Sequence, residues 1–196
     1  MIDKLSGFVR TNRLDALILV ALAGFGVAYS VVYLNPSAHP VEDAAMLMRY
    51  AQHLAQGHGI VWNIGEAPVD GATDFLFMAM AAALVKMHLS VETSVRLIGL
   101  VSHLLTAIII FLSLRRGNRS GPWIATFCAL FFLLGPGLGY VDAFFGTPYF
   151  ALFVALTWYY AIAIAESGGP GPSLATALAF SVSGLIMGLI RPEGVF

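Results

Sequence analysis

Glu42 and Asp43 stand side by side at the head of the longest polar stretch in the chain, residues 42–74. A carboxylate held at the start of a helix can act as a general base, taking a proton from a hydroxyl within about 2.6 to 3.2 Å. The same stretch carries Arg49, Tyr50 and His58, then Trp62 and Asn63, then Glu66, Asp70 and Thr73. Lipid-soluble helices have no use for such a series, so it is expected to bind or transform something at the water face of a bilayer. Each part also has a plain structural alternative. For Asp43 it is a helix cap that complements the dipole. For Gly57-His58-Gly59 it is a turn with a solvated histidine, and for Trp62 a place in the interfacial aromatic belt. Asn63-Ile64-Gly65-Glu66 and Val69-Asp70-Gly71 read as turn chemistry.

A helix must position these groups. Pro40 blocks one before the stretch, and Gly57 has the place of a C′ residue after it. Between them Leu47, Tyr50, Ala51, Leu54 and Ala55 recur at helical spacing on one face, with Arg49, Gln52, His53 and Gln56 on the other. The pattern predicts an amphipathic helix lying on a membrane surface. Helical rotation sends Glu42 out with Arg49 and Asp43 toward the apolar face. An ionised acid there costs a few kcal/mol unless it has a partner or a task.

The remainder of the chain is membrane material. Of 196 residues, 59% are hydrophobic and 11% charged, and the mean hydropathy is +0.83, which excludes the soluble globular class. The net charge of −1 gives no reason to expect nucleic acid as a partner. Cys128, the single cysteine, lies in an apolar run and reads as a small buried hydrophobe. Six apolar runs are visible: Leu14–Leu34, Phe75–Met87, Val95–Leu114, Trp123–Tyr140, Pro148–Ala165 and Leu174–Ile190. The first has roughly 20 residues, or about 30 Å of helix, the thickness of a hydrocarbon core. No cleavage site follows it, so it reads as a retained anchor. The fold class expected is all-α: a polytopic transmembrane helical protein with an amphipathic surface helix in its first outer loop, residues 35–74.

Orientation hinges on the short second run, about 20 Å as a helix. Lys4, Arg10 and Arg13 place the N-terminus in the cytoplasm by the positive-inside rule. If every run crosses, the Arg115/Arg116/Arg119 cluster falls outside, against that rule. If the second run fails to cross, the cluster moves inside. The Asp142 loop and Arg191-Pro192-Glu193-Gly194 then share the outer face with the polar stretch. The second arrangement is the one expected.

Several segments follow one another with the spacing of a known pattern. They are Glu42-Asp43-Ala44, Arg49-Tyr50-Ala51, Gly57-His58-Gly59, Val61-Trp62-Asn63, Gly65-Glu66 and Asp70-Gly71-x-Thr73. Thr147-Pro148-x-Phe150-Ala151-Leu152 and Arg191-Pro192-Glu193-Gly194 look like two later landmarks. From about residue 15 onward the chain resembles C-type polytopic glycosyltransferases that use polyprenyl-phosphate sugars, in particular the bacterial group related to the mycobacterial terminal arabinofuranosyltransferase. The resemblance implies a multi-pass enzyme of the bacterial inner membrane with its active face toward the periplasm or cell exterior. Its partners would be a polyprenyl-phosphate-linked sugar donor, a glycan or lipid acceptor, and membrane lipids, and the sugar would be transferred with inversion. Asp43, with Glu42 beside it, would be the base. Arg49, His58 and Arg191 would contact phosphate, and Tyr50, Trp62, Asn63, Glu66, Asp70, Thr73 and Glu193 complete the expected substrate site. Two departures stand out. The family's motif opens with two aspartates where this chain has Glu42-Asp43, and its Gly-Leu-Glu-Thr is here Phe144-Phe145-Gly146-Thr147.

No compact His/Asp cluster argues for a divalent metal, and no cofactor is expected. Residues 1–196 read as the N-terminal part of a single transferase-like transmembrane domain. Two other readings stay open: a non-catalytic or truncated membrane subunit that keeps the fold, and a lipid-carrier transporter or flippase. The absence of visible repeats and of acids in the later runs speaks against the last.

Overall fold

The computed structural model describes residues 13–69, 71, 73–116, 120–168, 171–191 and 194. Among them the regular structure is helical throughout. The helices are α1 (Arg13–Tyr33), α2 (Glu42–Ala55), α3 (Phe75–Lys86), α4 (Val91–Arg115), α5 (Pro122–Leu133), α6 (Gly137–Asp142), α7 (Thr147–Ala165) and α8 (Leu174–Ile190). Four are long and apolar enough to cross a membrane: α1, α4, α5 continued by α6, and α7. The protein is a multi-pass helical membrane protein.

Most of the expected runs appear as helices, with two differences. α4 starts at Val91 rather than Val95, because the Ser90 hydroxyl caps it by accepting from the Thr93 N–H and so draws a polar first turn into the helix. The run from Trp123 to Tyr140 is broken into α5 and α6 at Gly135-Pro136. Proline removes a donor, leaving upstream carbonyls without their helical partner. His103, fully buried on α4, donates from Nε2 to one of them, the Leu133 carbonyl, at 3.0 Å. Its ring lies 5.0 Å from Phe132.

Ion pairs sort the helix termini into two groups. At one end Arg115 pairs with Asp15 of α1, and Arg116 pairs with Glu166 just after α7. At the other, Asp142 accepts from the Asn35 N–H and pairs with Arg96. Arg191 there meets Asp74 and Thr147. Since Asp142 and Thr147 are neighbours in sequence, these last contacts form one polar end. The chain enters α3 beside Asp74 and leaves α4's first turns beside Asp142, so α3 begins and ends on the same side. At 12 residues it is about 18 Å long, shorter than a hydrocarbon core. Asp142, Arg191 and the polar stretch therefore share one end of the bundle, with Arg115 and Arg116 at the other. α8 runs back from the Glu166 end to finish at Arg191.

Two apolar clusters hold the bundle. At the polar end, Tyr50, Phe77, Met78, Tyr149 and Ile190 join α2, α3, α7 and α8. Toward the other end, Ile18 and Leu22 of α1 pack on Phe111 and Leu112 of α4 and on Ala125 and Ala129 of α5. Lipid is as apolar as leucine, so close fit rather than water exclusion drives such contacts, and small residues permit it. A Cβ at Gly26 would lie 2.6 Å from Leu104 Cδ2. Four hydroxyls within the helices are satisfied locally: Ser30, Thr106, Ser113 and Ser183 each donate to the carbonyl four residues earlier. Outward-facing Leu17, Val20, Val31, Trp123, Phe131 and Trp158 are exposed, as lipid-facing side chains must be.

Candidate functional site at the polar end of the bundle

α2 lays its apolar face, Ala44, Leu47, Met48, Tyr50 and Ala51, against α3 and the start of α4. Its N-cap is Val41, in extended conformation, and no side chain caps the helix. Asp43 thus makes no capping hydrogen bond, but it and Glu42 both lie in the first turn, where a negative charge complements the helix dipole. Nor does Asp43 lie with the buried face, for both Glu42 and Asp43 are exposed. Helical side chains lean toward the N-terminus, so a first-turn residue projects past the packed surface rather than onto it. Neither acid has a hydrogen-bond or ion-pair partner among the described residues.

The C-terminal half of the polar stretch folds back on α2. Gly57 takes φ +87° as the expected C′ residue. The Arg49 guanidinium lies 4.4 Å from the Trp62 ring centroid and donates to Asn63 Oδ1 at 2.9 Å. Asn63 in turn donates to Glu66 Oε2 at 2.8 Å. Tyr50, buried, donates from its hydroxyl to the Val69 carbonyl at 3.0 Å, and its ring tilts against Trp62. His53 Nδ1 donates to the Val61 carbonyl at 2.9 Å. Arg49, Tyr50, Trp62, Asn63 and Glu66 are thus brought together, and their shared work is to hold the loop on the helix. His58 and Thr73 are exposed. Asp70 and Glu193, with Lys4, Arg10 and Arg119, lie outside the described residues.

Arg191 stands apart from that network. It packs against Asp74, with Nε 3.2 Å from Oδ1 and Nη2 3.4 Å from Oδ2, and donates to Thr147 Oγ1 at 3.2 Å. Nearby, Arg96 donates to the Asn35 carbonyl at 2.6 Å and reaches Asp142 at 3.4 Å, with its guanidinium 4.6 Å from the Phe144 ring centroid. Asp74, Arg96 and Asp142 were not among the residues expected from the sequence to build this site. For Arg96 the signal was present, as a charged side chain beside the start of a long apolar run.

Two apolar cavities adjoin this corner. One, about 800 Å³, runs between α4 and α7 past Thr106, Ile110, Phe150, Val154 and Met187. The other, about 970 Å³, lies toward α5 and α6 past His103, Phe132 and Tyr140. Thr147 lines both. From Thr147 to Ile162 the first follows α7 for about 22 Å. Among the described residues no group of three or more His, Cys, Asp or Glu side chains could hold a metal ion. The arrangement offers unpaired carboxylates in water, a guanidinium beside a hydroxyl, and room for an apolar chain. No family model, curated protein or solved structure matches the chain.

Proposed function

We propose that this protein carries the donor-binding site of a membrane glycosyltransferase, one that moves a sugar from a polyprenyl-phosphate carrier to a hydroxyl of a cell-envelope glycan or lipid, with inversion. The observation that carries the reading is the exposed Glu42-Asp43 pair, without partners among the described residues, at the end of the bundle where Arg191 meets a threonine that lines apolar cavities. Asp43, with Glu42 beside it, accepts the acceptor's hydroxyl proton as the glycosidic bond forms. The lipid phosphate leaves with the electron pair of the broken bond. Arg191 and Thr147 steady its charge, and the cavities along α7 take the first part of the polyprenyl chain. Arg49, whose guanidinium is engaged with Trp62 and Asn63, shapes the loop over the site instead. Arg13, Arg115 and Arg116 gather at the opposite end, which the positive-inside rule puts in the cytoplasm. The acid pair then faces the outside of a bacterial plasma membrane.

The test is the paired substitution Glu42→Gln with Asp43→Asn, assayed in membranes given labelled polyprenyl-phosphate sugars. Transfer should vanish while membrane insertion and the helical circular-dichroism signal persist. Sugar transfer at the wild-type rate by the double variant would end this assignment of the base.

A further inference from the structure

Arg191 is held in an oddly unfinished way. Its contacts of 3.2 and 3.4 Å to Asp74 exceed the roughly 2.7 to 2.9 Å of well-made charge-assisted bonds. Its Nε is buried, and although it lies within ion-pairing range of Asp74, its N–H does not point at any acceptor. Thr147 accepts from it and keeps its own O–H to donate. Thr147 is also the first residue of α7, whose N-terminus has no side-chain cap and so adds the positive end of a helix dipole. Asp74 fits into this corner because position 146 is glycine: a Cβ there would lie 2.7 Å from Asp74 Oδ2 and 2.9 Å from the Phe77 ring.

We propose that the Asp74 carboxylate is a place-holder for a phosphomonoester, which exchanges with it on Arg191 and Thr147 and thereby unlatches the polar segment that ends at Asp74. The proposal deepens the lipid-carrier reading and rests on it for the source of the phosphate. A phosphomonoester brings a charge of about −1.5 to −2 and three acceptor oxygens, against one charge and two oxygens from Asp74. It can satisfy Nε, Nη2 and the threonine hydroxyl together. An apolar tail attached to it enters the cavities that begin at Thr147. Asp74 is the last residue before α3, so moving its carboxylate frees the backbone of 73–74 while Tyr50, which packs against Gly71, and Arg49 keep the earlier part of the segment in place.

The full chain in nanodiscs is given undecaprenyl phosphate, the uncharged polyprenol of the same length, or inorganic phosphate, with binding and amide hydrogen exchange recorded together. Undecaprenyl phosphate should bind and raise exchange through residues 73–78, and the polyprenol should leave exchange unchanged. Asp74→Asn should show the raised exchange without ligand and bind undecaprenyl phosphate about two- to fivefold more tightly, as loss of a competing ion pair implies. Gly146→Ala, which expels the carboxylate by volume rather than charge, should do the same. An equal effect from inorganic phosphate would support the exchange and assign the site to the free anion, against a lipid carrier. Binding of the lipid with exchange unchanged in wild type and in Asp74→Asn would overturn the place-holder and leave the carrier reading standing. No binding of either phosphate would overturn both.

Discussion

Replacing Asp15 by alanine strands a buried guanidinium. The Asp15 side chain is 0% exposed and that of Arg115 6%. Arg115 Nε lies 3.0 and 3.1 Å from the two carboxylate oxygens, while Nη1 donates to the Ser120 carbonyl at 2.6 Å. Without the acid, that carbonyl satisfies one donor and leaves the charge uncompensated. Removing one partner of a buried pair costs about 3 to 5 kcal/mol. Two unit charges 4 Å apart at an effective dielectric of 20 interact by about 4 kcal/mol, which agrees. Arg115 is the last residue of α4, where a long side chain can reach toward the interface, so the expected loss lies at the lower end, about 3 kcal/mol. Asp15→Leu combined with Arg115→Leu removes both charges and should return to within about 1 kcal/mol of wild type. Equilibrium unfolding in mixed micelles, titrated with dodecyl sulfate and followed by circular dichroism, measures both. A loss below about 1 kcal/mol for Asp15→Ala, or a double variant as damaged as the single, would refute the claim that this pair is sealed from water.

Arg96→Ala removes the contacts to Asn35 and Asp142. With side chains 21% and 22% exposed, the loss should be about 1 kcal/mol, read as faster proteolysis within 35–41; an unchanged rate would show that the tie is idle. Gly137→Ala drives a Cβ into the His103 ring and should cost about 1 to 3 kcal/mol through overpacking, measured by thermal unfolding in detergent. Against a Cys128→Ser background, Ile64→Cys and Ser167→Cys should react with an impermeant maleimide from opposite sides of a sealed vesicle, and labelling from the same side would contradict the two-ended arrangement.

Local features were legible in the sequence, and long-range ones were not. The membrane class, the span of α8 and the amphipathic face of α2 follow from composition and periodicity over a few turns. So does the Gly57 stop, because a φ of +87° favours the one residue without a Cβ. The shortness of α3 was legible too, since its 12 residues fall short of a hydrocarbon core. Ties such as Asp15 to Arg115 and Asn35 to Asp142, each about a hundred residues apart, leave no local trace beyond a charge in or beside an apolar run. Asp15 was such a charge, one residue inside the first run. Asp43 misled for a geometric reason: face assignment treats a helix as endless, whereas its first turn leans off the end. Arg49 showed the same limit, because a cation beside an acid pair resembles an anion ligand until the Trp62 ring and Asn63 are found against it.

The short helices gathered at one end make the two ends of the bundle unequal. Among the described residues, α2 and α3 add cross-section at the end of Asp142 and Arg191, while the opposite end carries long helices and their connections. Lateral pressure at that end is expected to bear on the contact between α2 and α3, so that changing the lipids of one monolayer should shift it more than thickening the whole bilayer.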